Sequence, residues 1–132
     1  MTKRNKSTSP AKQPSAGLGK PRAYMLIMVL VALVLIGVAD LLLWVWTPTL
    51  PNPIATHWGT GTSPNGFESP LSFILTISVI MGATVFLLGA IGFSASRSAV
   101  AVQVIGGATV FIGAMVLLLV IVSIGPQRGL AD

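Results

Sequence analysis

The sequence predicts an all-α integral membrane protein with three transmembrane helices, N-terminus in and C-terminus out. Three observations lead there. Residues 23–46, 71–93 and 100–124 are long apolar runs that contain a single acid, Asp40, and no Lys or Arg. At ~1.5 Å per helical residue each run is roughly 35–38 Å long, enough for a hydrocarbon core of about 30 Å. Finally, only 8% of the 132 residues are charged while 53% are hydrophobic, too few polar groups to cover a water-soluble core built from all three runs. A segment in lipid must pair its own backbone groups, so each run is expected to be a helix.

Residues 1–22 form a basic leader rich in Ser, Pro, Lys and Gly. It has too little apolar surface to offset its ordering entropy and is expected to be a disordered cytoplasmic tail. The first run is too long for a secretory signal and ends in Trp44 and Trp46 rather than small residues, so it is expected to stay uncleaved.

Six of the eight basic residues precede the first helix, Arg97 lies in the short connection between the second and third, and the 47–70 loop has none. The positive-inside bias therefore puts the leader and Arg97 in the cytoplasm, and the 47–70 loop and the short tail 125–132 outside. Simple topology accounts for the leader, as does attraction to anionic lipid. It has no aromatic interleaving for nucleic acid, and no nucleic-acid partner is expected.

The helix ends carry clear signals. Thr47-Pro48 stops the first helix, because the residue before proline avoids the α region. Ser69-Pro70 opens the second with an N-cap and a first-turn proline. Gly125-Pro126 closes the third. The second and third helices, joined by about six residues, are expected to be antiparallel neighbours. Ser78, Gly82 and Gly89 on one, and Gly106 and Gly113 on the other, are expected to form their contact face, with Ala99 and Gln103 alongside. Small residues let helix backbones approach closely in lipid.

Two intramembrane polar residues stand out, Asp40 and Gln103. A carboxylate in a bilayer is costly and normally faces the bundle or water. Ser72, Thr76 and Ser123 lie at suitable depth to bond Asp40, with Gly37 on its face. Both a hydrogen-bonding role and a proton-binding or gating role are open.

Catalysis is not expected. Cysteine is absent, excluding disulfides and thiolate chemistry. Ser63, His57 and Glu68 lack a nucleophile elbow or an oxyanion hole. His57 and Glu68 alone are too few for a zinc site, and no metal or cofactor is expected.

The outer loop is patterned. Pro51 and Pro53 stiffen its start, and Ser63-Pro64-Asn65-Gly66 has β-turn chemistry. Trp58 and Phe67 flank a glycine-rich segment. Pro51, Ile54, Thr56, His57, Trp58, Pro64 and Gly66 together resemble the extracytoplasmic loop of a bacterial membrane family of unknown function that includes the N-terminal part of SdpI-type immunity and signalling proteins. Ala55 stands where that family has Pro and Asn65 where it has Asp, and Gly61 comes one residue early. The resemblance covers the loop and its flanking helices. It implies a non-enzymatic, multi-pass protein of the bacterial plasma membrane whose loop meets an extracytoplasmic peptide or a membrane-protein partner. Two other roles fit the residues. One is a scaffold subunit of a larger complex. The other is a proton-linked transport component using Asp40, which would require a homo-oligomer to enclose a path.

Overall fold

A computed structural model describes residues 19–61 and 63–130. The expected disordered leader, up to residue 18, lies outside the described residues. Helix α1 runs Lys20–Trp46 and passes through a 3₁₀ turn, Thr47–Thr49, into a β-hairpin of β1 (Ile54–Trp58) and β2 (Pro64–Glu68). Helix α2 follows at Pro70–Ser94 and α3 at Ala99–Leu119. The winding of α3 continues through a π turn, Val120–Ile124, and a 3₁₀ turn, Gly125–Gln127. All three helices are long and apolar enough to cross a membrane.

The helix starts follow local chemistry. Ser69 Oγ accepts from the Ser72 amide at 3.2 Å and Pro70 occupies the first turn of α2. Ser98 Oγ does the same for Ala101 at 3.3 Å, opening α3. The expected start of the first helix at residue 23 is corrected to Lys20. Pro21 fits a first helical turn, where no amide donor is needed, and Arg22 and Ala23 donate to the Gly19 carbonyl at 2.8 and 3.2 Å. Gly125 does not adopt the left-handed cap conformation (φ −52°), and the chain leaves α3 through right-handed turns instead.

Helix α1 is the centre of the bundle. It packs on both α2 and α3, and its interface with α3 is the most extensive. This relocates the glycine contacts. Gly106 faces Met28 and Tyr24 of α1, Gly113 faces Ala32, and Gly89 faces Val29. The glycines therefore serve α1 rather than a seam between α2 and α3, and a Cβ at Gly82 would meet nothing within 4 Å. A short connection makes α2 and α3 neighbours, but the tight glycine contacts of both are made with α1. At Gly113 the opposing residue is Ala32, fully buried on α1; at Gly106 and Gly89 the glycine makes room for a larger side chain of α1.

The outward surface is apolar throughout the helices; Phe86, for example, is 78% exposed. Such a surface suits lipid rather than water. Buried side chains form two clusters. One, around Ala32, Ile36 and Val85, lies in mid-bundle. The other joins Ala39, Leu43, Val116, Val120 and Ile124 to Leu50 and Ile54, which the connection after α1 inserts into the bundle end.

The packing yields a paired test. A Cβ at Gly113 would lie 2.9 Å from the Ala32 carbonyl oxygen, an atom that cannot move without shifting α1. Gly113→Ala is expected to destabilise the bundle by about 1–3 kcal/mol, the usual cost of overpacking. Gly82→Ala, with open space, should be neutral or stabilising by about 0.5–1 kcal/mol through helix propensity. Thermal unfolding of both variants in one detergent measures the difference.

Candidate functional site

An isolated two-stranded hairpin is marginal in water and needs something to rest on. Here β1 and β2 pair antiparallel, Ile54 opposite Glu68, Ala55 opposite Phe67, His57 opposite Gly66 and Trp58 opposite Pro64, with register shifts on either side of His57. The turn expected at Ser63–Gly66 is overturned: Pro64, Asn65 and Gly66 belong to β2. Proline is tolerated at the first position of an edge strand. Gly66 is required by its neighbour, since a Cβ there would fall 2.7 Å from His57 Cβ.

The close approach at Gly66 brings His57 to Asn65. The His57 Nδ1 to Asn65 Oδ1 distance is 2.6 Å. With the amide oxygen accepting, Nδ1 is the donor, which leaves Nε2 as the ring nitrogen outside that contact. Gly59 makes room for the amide, its missing Cβ being 2.8 Å from Asn65 Nδ2.

Gln127 fastens the hairpin to the helices. Its Oε1 accepts from the Ala55 amide at 2.8 Å. Its Nε2 donates to the Ala55 carbonyl at 2.8 Å and to the Ser123 carbonyl at 2.9 Å. The buried side-chain amide thus serves both backbone groups of Ala55 and ties them to the π turn of α3. The rest of the C-terminal segment grips the end of α1. Gly129 N–H donates to the Thr49 carbonyl at 2.8 Å, and the Arg128 guanidinium lies 5.0 Å from the centre of the Trp46 ring. The tail expected from residue 125 is therefore docked as far as Gly129.

Docked in this way, β1 roofs a cleft of about 460 Å³ between α2 and α3. Phe73, Ile77 and Met81 form one wall, and Val116, Leu119 and Val120 the other. Thr56, His57, Trp58 and Ser123 stand at the mouth. The cleft is apolar in its depth and polar at one end, an arrangement suited to an amphipathic ligand.

The remaining sequence candidates divide by position. Ile54 is fully buried and anchors the hairpin rather than presenting itself to a ligand. Thr56, His57 and Trp58 line the cleft mouth, while Pro51, Pro64 and Gly66 are partly buried in the hairpin and its approach. Asp40 is not among the residues lining the cleft: its Oδ2 accepts from Ser78 Oγ at 2.8 Å, and the same hydroxyl lies 2.8 Å from the Ile74 carbonyl. Its partner is thus Ser78, not Ser72, Thr76 or Ser123. Asp40 Oδ1 and Glu68 Oε2 are buried without hydrogen-bond partners among the described residues. Gln103 is exposed on α3 near its start. Among the described residues no group of three His, Cys, Asp or Glu side chains could hold a metal.

Compared with protein families, curated proteins and solved structures, the chain matches none.

Sequence reasoning missed Gln127 and the π turn, whose widened winding carries Val120, Ser123 and Ile124 to the cleft. The one available signal was an amide two residues beyond a helix-ending glycine, which reads equally well as a solvated tail.

The clasp gives a prediction. Gln127→Ala leaves the Ala55 amide and carbonyl without their partner, at about 1–3 kcal/mol. Hydrogen exchange is expected to quicken across residues 54–58 and 64–68 while protection in mid-bundle stays at the parent level.

Proposed function

We propose that this chain is a non-enzymatic, multi-pass protein of the bacterial plasma membrane, with an SdpI-like signalling, immunity or envelope-stress role exercised through its hairpin. The observation that carries the reading is the clasp of Gln127 on Ala55, which holds His57 and Trp58 at the mouth of an apolar cleft. A loop that only joined two helices would need neither an imidazole paired with a side-chain amide nor a buried amide to seat it. The resemblance of residues 51–66 to the SdpI-type loop points the same way. The distribution of basic residues favours the hairpin outside and the Arg97 connection in the cytoplasm.

In this reading the ligand is an extracytoplasmic peptide or a membrane-protein segment with one apolar face. Its apolar side chains enter between α2 and α3, while its polar groups meet His57, Thr56 and Ser123. Asn65 keeps Nδ1 of His57 occupied, so Nε2 is the nitrogen offered to the ligand. Ile54 and Leu50 secure the roof from below.

The test is a deletion strain challenged with membrane-active peptides and complemented by variants. His57→Ala is expected to lose protection or signalling with unchanged protein level in the membrane. Full activity of that variant would contradict a mechanism centred on the hairpin.

A further inference from the structure

The opposite end of the bundle carries a second niche, separate from the hairpin. Lys20, Pro21 and Tyr24 of α1 and Ala99, Val102 and Gln103 of α3 line a cavity of about 210 Å³. Its shape is built by Gly106, where a Cβ would lie 2.9 Å from the Tyr24 ring. Lys20, Arg22 and Arg97 place positive charge at this end. The described carboxylates are elsewhere: Glu68 is in β2, and Asp40 is about 30 Å along α1 from Lys20 at the helical rise per residue.

Gln103 is the anomaly. It is exposed on α3 between Val100 and Val104, which are 69% and 66% exposed to what would be lipid. Among the described residues, the side-chain hydrogen bonds at this end join Arg22 to Ser96, Ser94 to the Ile91 carbonyl and the Ala101 amide to Ser98, and use neither Gln103 nor Lys20. An amide at a lipid-facing position requires a polar partner. The exposed ammonium of Lys20 on the same niche favours a negative partner.

We propose that the niche seats the headgroup of an anionic glycerophospholipid. The Lys20 ammonium and the Gln103 amide donate to its phosphate oxygens, Tyr24 forms the wall beside it, and the acyl chains lie along Val100 and Val104. A basic pocket between spanning helices is a known way to hold an anionic headgroup. The occupant is a lipid rather than free phosphate, because Gln103 of the niche sits in sequence beside the exposed Val100 and Val104, the apolar surface that the chains would cover.

Native mass spectrometry of the full chain in mild detergent tests this, with phosphatidylglycerol and phosphatidylcholine of matched acyl chains. Preferential retention of phosphatidylglycerol is expected. Gln103→Leu, which alters no charge and suits a lipid-facing helix, should cut that preference about fivefold, and Lys20→Gln at least as much (about 1 kcal/mol). Circular dichroism should match the parent for both variants, since both positions are exposed. Inorganic phosphate at millimolar concentration should leave retention unchanged. Parental selectivity in Gln103→Leu would assign the preference to the diffuse charge of the leader and overturn the site; displacement by inorganic phosphate would overturn the lipid assignment.

Discussion

A chain in hydrocarbon has no solvent to receive its backbone N–H and C=O groups, and this constraint shapes every part of the molecule. Within the membrane-length segments the chain is helical, so the backbone closes on itself. Hydrophobic driving force between helices is then absent, and association depends on close packing. The structure meets that need with glycine and alanine at the contacts of α1: Gly106 and Gly113 on α3, Gly89 on α2, Ala32 and Ala39 on α1 itself. Non-helical backbone appears at the bundle ends, where water can reach it or a side chain can substitute.

The hairpin is the place where a side chain substitutes. A two-stranded sheet has two unpaired edges, and the edge of β1 nearest the bundle presents Ala55. The carboxamide of Gln127 has one donor group and one acceptor, like a peptide unit, and so completes that edge as another strand would. The π turn just before it widens the end of α3 so that the Ser123 carbonyl can accept the second Gln127 proton. Packing and hydrogen bonding therefore act together. Leu50 and Ile54 fill the bundle end from above, and Gln127 fixes the strand that carries Ile54.

The features legible in the sequence were those set locally. Hydropathy over more than twenty residues located the helices, and Ser69-Pro70 gave the start of α2 to the residue. The loop motif drew attention to His57 and Gly66 before any geometry explained why one needs the other. Features that depend on the rotation of one helix against another were not legible. Asp40 finds Ser78, 38 residues away, because α2 presents that face to α1. The heptad-spaced glycines of α3 announced a close contact without naming the partner. Gln127 meets Ala55 across 72 residues, a distance over which periodicity carries no information. Ser63-Pro64-Asn65-Gly66 has the composition of a turn, yet pairing with β1 draws its last three residues into a strand.

The central claim is that α2 crosses the membrane once, leaving the hairpin and the Arg97 connection on opposite sides. The chain has no cysteine, so single substitutions at Gly61 and Ser96 give a clean readout. In intact cells a membrane-impermeant maleimide should label Gly61→Cys directly and Ser96→Cys only after the membrane is opened. Labelling of both positions from the same side would contradict the account.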